Sequence, residues 1–147
     1  MYKRILVPTD GSPLSTKAVR SAVQLAAGLG ANLVIVNIVP SYPLGYFEGG
    51  VNVSASEVGR VEKQWALQGQ AVADAARAEA EEAGVKAKGV TVRSDLVAEA
   101  ILAAARKHKC DLVVMASHGR KGLKRLLLGS ETQNVLTQGT LPVLVLR

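Results

Sequence analysis

Five short runs of the chain carry apolar, largely β-branched side chains, most of them closed by a turn-forming residue. Residues 3–7 stop at Pro8 and residues 32–39 stop at Pro40. Residues 111–116 and 142–146 are equally compact, while residues 86–92 alternate less cleanly. Runs this short and this rich in Val and Ile predict buried strands. Between them the apolar spacing changes to three and four. Residues 15–29 put Ala18, Ala22, Leu25, Ala26 and Leu29 on one face, and residues 96–108 do the same with Val97, Ala100, Ile101 and Ala104. Both read as amphipathic helices.

A longer helix is predicted over residues 55–83, with Val58, Val61, Trp65, Val72 and Ala76 at helical spacing and Gly84 as its stop. Trp65 reads as packing of this helix against the sheet. A last helix is predicted from Ser130, because Ser130-Glu131-Thr132-Gln133 has the form of a capping box, with Gly139 before Leu141-Pro142 as its end. Strands alternating with helices require right-handed crossovers. The predicted class is therefore α/β, a doubly wound five-stranded parallel sheet with helices on both faces.

The length, 147 residues with 48% hydrophobic and 20% charged, suits a single domain spanning 1–147. No segment approaches the ~20 apolar residues of a membrane span, and the first apolar run is too short for a signal peptide. Cys110 is the one cysteine, which excludes an intramolecular disulfide and any multi-cysteine metal site. A cytoplasmic protein is expected, with no membrane partner. The net charge is +6, and the stretch from Arg106 to Arg125, seven Lys or Arg against Asp111, accounts for it. Such a cluster is a solvated face or an anion site. With aromatic residues at 3%, no stacking platform for nucleic acid is visible.

In an open parallel sheet, ligands bind beyond the carboxyl ends of the strands where the strand order reverses, and the first and fourth strands are the natural pair. After the first comes Pro8-Thr9-Asp10-Gly11-Ser12; after the fourth comes Ser117-His118-Gly119-Arg120-Lys121-Gly122, running on to Leu128-Gly129-Ser130. Glycine lets a backbone approach a phosphate closely, and the open N–H groups of a helix starting at Ser130 attract anions. The second loop thus has the parts of a phosphate cradle, or is a surface loop using its glycines for turns. Asp10 can accept from a ribose hydroxyl or an adenine amine, sit near a phosphate-bound magnesium ion, or simply close an Asx-turn. Ser130 can cap its helix and still meet a phosphate oxygen. Arg120, Lys121, Lys124 and Arg125 are either solvated or neutralise a polyphosphate. Neither His118 nor His108 has a second ligand at metal spacing, and Cys110 reads as a spectator thiol.

The segment Asp111-Leu112-Val113-Val114-Met115-Ala116-Ser117-His118-Gly119 and the later Leu126-Leu127-Leu128-Gly129-Ser130 resemble the signature of the universal stress protein family. So do Ile5-Leu6-Val7-Pro8-Thr9-Asp10-Gly11-Ser12 at the start and Leu141-Pro142-Val143-Leu144-Val145 at the end. The resemblance covers nearly the whole chain and is weakest over residues 40–54. It implies an adenine nucleotide alpha hydrolase-like fold with strand order 3-2-1-4-5 and, in one branch, an ATP site. That branch has a glycine, two residues, a glycine, nine residues, then glycine and Ser or Thr; Gly119 and Gly129-Ser130 fit, and Ala116 replaces the first glycine. By resemblance, Pro8, Thr9 and Asp10 border adenine and ribose, Ile38 and Met115 line the base, and Gly119, Gly129, Ser130 and Thr132 hold the phosphates. Ala116 adds a methyl near the ribose or phosphate. Glu131 stands where the family has a small apolar residue and would set a carboxylate beside the phosphates.

Three functions follow for comparison. The first is a homodimeric, ATP-binding regulator of the stress response, with magnesium on the phosphates. The second is a slow ATP hydrolase, for which Asp10 and His118 are the nearby activating groups and the P-loop pattern is absent. The third is a nucleotide-independent dimer acting through unknown protein partners, supported by Ala116 and Glu131. The apolar strand 142–146 invites pairing with a second copy, and the family resemblance implies a dimer there.

Overall fold

The computed structural model describes residues 1–43, 54–119 and 127–147. Its elements are β1 (Arg4–Pro8), α1 (Pro13–Leu29), β2 (Asn32–Val39), α2 (Ala55–Glu82), β3 (Ala87–Arg93), α3 (Val97–Lys107), β4 (Leu112–Ala116), α4 (Ser130–Gln138) and β5 (Val143–Leu146). The five strands form one parallel sheet in the order β3-β2-β1-β4-β5, as the alternation and the resemblance predicted.

Side chains alternate across each strand, so each face builds its own core. Ile5, Val7, Leu33, Ile35 and Val114 pack on one face against Ala18, Val19 and Ala22 of α1 and Ala73, Ala76 and Ala80 of α2. Leu6, Val34, Val36, Val113 and Met115 pack on the other face against Ala98, Ile101, Leu102 and Ala105 of α3 and Val135 of α4. Alanines on the helices let their backbones lie close to the sheet. Trp65 stacks on Tyr42, just beyond β2, with ring centroids 6.1 Å apart. No helix among the described residues is long and apolar enough to cross a membrane.

One helix start and one helix cap differ from the sequence expectation. The first helix begins earlier, at Pro13, because Ser12 caps it: the Ser12 hydroxyl accepts from the Ser15 N–H at 3.3 Å, and proline suits the first helical position. The last helix lacks the expected capping box. Gly129 is its N-cap, Ser130 is already helical, and no side chain caps it. The reason is a short bond from the Gly129 N–H to the Ser117 carbonyl, 2.7 Å, which fastens Gly129 to the end of β4 and starts the helix just after it.

Candidate functional site

β1 and β4 are neighbours, yet the chain leaves β1 into α1 on one face of the sheet and leaves β4 toward α4 on the other. The crevice this opens at their carboxyl ends is the topological switch point. Its first wall is the turn after β1. Thr9 is buried there, its hydroxyl 3.0 Å from the Ser15 hydroxyl and accepting from the Gly11 N–H at 3.2 Å. The Thr9 carbonyl accepts from the buried Asn37 amide at 2.9 Å, which ties the turn to β2. Asp10 Oδ1 accepts from the Ser12 N–H at 2.9 Å and from the Ser15 hydroxyl at 2.8 Å. The first of these bonds closes the Asx-turn, and together they fix the direction of the carboxylate.

The second wall is the segment after β4. The Ser117 N–H pairs with the Leu146 carbonyl at 2.7 Å. Thr132 is buried and its hydroxyl donates to the Ala116 carbonyl at 2.8 Å, binding the first turn of α4 to the end of β4. The two walls meet at Gly119, where a Cβ would stand 2.9 Å from Asp10 Oδ2. At Gly129 a Cβ would stand 2.9 Å from the Ser117 carbonyl oxygen and 3.1 Å from His118 Cα. Glycine is required there by close approach within the chain itself, at an ordinary φ of −58°.

Three side chains floor the crevice on the α3 side. Met115 is buried in that core, Ile38 packs on its margin, and alternation from Leu6 puts Pro8 on the same face. Ala116 points the other way: its methyl is buried in the core on the α1 side, so the replacement of glycine adds no bulk over Met115. Ser130 is exposed on the first turn of α4, where the leading N–H groups of a helix lack intrahelical partners and carry the positive end of its dipole.

Glu131 takes a direction its position in the first turn did not suggest. Its Oε2 accepts from the Ala98 N–H at 3.1 Å, at the start of α3. The N-cap of α3 is Leu96, which has no side-chain acceptor to offer. A carboxylate from a neighbouring helix therefore does the capping.

Ser12, Ser15 and Asn37 hold the site residues in place and were not anticipated as doing so. Ser12-Pro13, an N-cap followed by proline, was the available signal for the first, and a lone amide inside the apolar run 32–39 was the signal for Asn37. Arg120, Lys121, Lys124 and Arg125 lie outside the described residues, as does most of the loop 40–54. His118 Nδ1 lies 3.2 Å from the Ser117 hydroxyl, while His108 is at the opposite end of the sheet, at the close of α3. Cys110 is buried, and burial pushes its thiol up to about 11, as a spectator thiol should be. Two open depressions lie away from the crevice, one of about 520 Å3 between α2 and β3 and one of about 400 Å3 at the amino ends of the strands.

Comparison with known proteins bears on this arrangement. The family model described as the universal stress protein family matches residues 1–147. A universal stress protein of Methanocaldococcus jannaschii is 34% identical over all of this chain and 83% of its own length. The solved structure of a second universal stress protein of that organism is 26% identical, with a TM-score of 0.84, covering 99% of this chain and 96% of the other. A universal stress protein solved in complex with cAMP is 27% identical, with a TM-score of 0.69, covering 99% of this chain and 97% of the other.

Proposed function

The chain belongs to the universal stress protein family, and from that premise we propose that it is an adenine-nucleotide-binding module whose site is the crevice between β1 and β4. The observation that carries the reading is the close approach of Asp10 to Gly119, which brings the turn after β1 and the segment after β4 together at the switch point. ATP is the proposed ligand, with magnesium carried on its phosphates. Pro8, Ile38 and Met115 supply an apolar floor for the base, and the backbone around Thr9 borders the ribose. Asp10 offers a fixed carboxylate for a ribose hydroxyl or the adenine amine. Gly119, Gly129 and the N–H groups and hydroxyl of Ser130 form the phosphate cradle. Thr132 and Glu131 hold the cradle's frame, through Ala116 and Ala98 respectively. The likeness to a universal stress protein solved in complex with cAMP supports an adenine nucleotide as the ligand.

Binding without fast turnover is the proposed mode of action. Asp10, one of two groups near enough to activate a water, already accepts from Ser12 and Ser15 through Oδ1. The two residues that argued for a nucleotide-independent member lose that force, since the Ala116 methyl is buried away from Met115 and the Glu131 carboxylate serves α3.

The module is proposed to act as a cytoplasmic homodimer in stress responses, paired through strand 142–146. The two sheet edges differ in a way that supports this. β3 carries Lys88 and Arg93, charges that guard an edge, whereas β5 reads Val143-Leu144-Val145-Leu146, with Leu144 exposed.

Calorimetric titration of nucleotide-free protein with magnesium-ATP tests the site, with Ser130→Asp as the variant. Ser130 makes no capping bond, and an acid in the first turn favours the helix dipole, so the variant keeps its stability. A unit charge about 4 Å from a phosphate costs between about 1 kcal/mol in bulk water and about 4 kcal/mol at an effective dielectric of 20. Saturable binding by the parent, weakened about tenfold or more by Ser130→Asp, is expected. No binding by the parent, or equal binding by the variant, overturns the assignment.

A further inference from the structure

At the opposite end of the sheet, the amino ends of β1, β2 and β3 and the close of α3 line an open, solvent-facing cavity of about 400 Å3. Arg4, Lys86, Lys88, Lys107 and Lys109 line it, together with His108, and no carboxylate does. Asp111, nearby, is turned to the backbone: its two oxygens accept from the N–H groups of Lys3 and Arg4. The Arg4 guanidinium donates to the His108 carbonyl at 2.8 Å, so one cation is held at the cavity wall. The concentration of positive charge is felt by the imidazole of His108. Burial first, then Lys88, Lys107 and Arg4, hold it below its ordinary value.

A backbone feature at the same place is independent of that charge. α1, α2 and α3 close with the same bond, in which the N–H just past a left-handed residue reaches a carbonyl five residues back: Ala31 to Ala26, Val85 to Ala80 and Cys110 to Ala105. The left-handed residues are Gly30, Gly84 and Lys109, with φ of 66°, 78° and 54°. Glycine takes this conformation freely, and a side chain does not. The third helix thus puts a strained lysine where the other two put glycine, and that lysine lines the cavity. Compensation of the helix dipole does not call for it, since Arg106 and Lys107 already occupy the last turn of α3. Edge protection explains Lys88 but neither Lys109 nor Arg4. Strain kept at a polar cavity points to a binding role.

We propose that this cavity is a second anion site, which takes a compact polyphosphate of the size of inorganic triphosphate. Five cations gathered in one concavity match a short chain of phosphates. The volume is that of a small-ligand site, and the lining has no aromatic ring on which a base could stack. A nucleic acid calls instead for a stripe of charge along a face.

The test titrates inorganic tripolyphosphate into the Ser130→Asp protein, in which the crevice between β1 and β4 is a weakened competitor, with calorimetry and the NMR titration of His108 as readouts. Saturable binding is expected, with the His108 pKa rising in the complex as the anion offsets its lysine neighbours. Lys88→Ala and Lys109→Gly should each weaken binding about fivefold. Lys109→Gly should do so while raising Tm by about 3 °C, because it relieves the strain; weaker binding by a more stable protein separates a ligand contact from a folding role. Binding unchanged in both variants, or a His108 titration that ignores the anion, overturns the proposal. So does an affinity for single-stranded oligonucleotides that exceeds that for tripolyphosphate and grows with their length.

Discussion

Replacing Glu131 by Ala should loosen α3 and leave phosphate binding nearly unchanged. The carboxylate accepts from the Ala98 N–H at 3.1 Å, and Ala98 is buried, so water cannot fully replace the lost acceptor. Loss of a helix cap costs about 0.5–2 kcal/mol, and loss of an exposed charge from a helix start about 0.3–1 kcal/mol. Because Glu131 itself is exposed, about 1–1.5 kcal/mol for the whole change is reasonable, a fall in Tm of about 3–5 °C at this chain length. Glu131→Gln keeps the acceptor and removes the charge, so about half of that loss is expected. Urea denaturation gives the stability, and hydrogen exchange at Ala98 reports the local opening, which should quicken in Glu131→Ala more than at the β1 amides. Affinity for magnesium-ATP should move by less than about threefold. A Glu131→Ala protein as stable as the parent that binds ATP about tenfold more tightly would refute the reasoning, since the carboxylate would then be facing the phosphates.

Gly129→Val should destabilise the junction of β4 and α4: its Cβ meets the Ser117 carbonyl and His118 backbone, and a clash with fixed backbone costs about 1–3 kcal/mol or more, visible as a lower Tm with or without nucleotide. Val145→Lys, on the free edge β5, should shift a homodimer toward monomer in sedimentation equilibrium at micromolar concentration; an unchanged mass would mean that the edge is not the interface. Cys110 should react with a disulfide reagent at pH 8 about a hundredfold more slowly folded than unfolded, because burial pushes its thiol up from 9.0 to about 11 and leaves little thiolate. The same raised value favours the folded state below pH 9, and that contribution is lost between pH 9 and about 11 as the unfolded thiol ionises first.

The sheet was legible because four of the five strands are compact apolar runs, β3 with its lysine, glycine and threonine being the weaker signal, and because Gly84 and Gly139 stand just past the helices they stop. Strand order needed the resemblance to a known family; alternation alone sets handedness and layers. The pairing of the turn after β1 with the segment after β4 was also legible, from two clusters of small polar residues at the carboxyl ends of neighbouring strands. Side-chain direction was not. Ala116 and Glu131 sit where a one-dimensional pattern sets them against the phosphates, and each is turned away by a partner remote in sequence, the α1-side core for one and Ala98 for the other. The last helix begins at Ser130 as expected, but its cap was misassigned for the same reason. A bond from Gly129 to Ser117, across residues 118–128, decides it, and Ser130-Glu131-Thr132-Gln133 carries no trace of that bond. Lys109 is the opposite case: nothing in its sequence neighbourhood marks a left-handed residue, because glycine is the usual sign.

The central claim is that an adenine nucleotide lies between the ends of β1 and β4. An NMR titration with magnesium-ATP, following the Met115 and Ile38 methyl groups and the amides of Gly119, Gly129 and Ser130, tests it most directly. Saturable shifts of the two methyls and the three amides with a single dissociation constant are predicted, with Cys110 and Lys88 unmoved at the concentrations that saturate them. Methyl groups that stay still while the amides of Lys88, His108 and Lys109 move would contradict the account, by putting the nucleotide at the other end of the sheet.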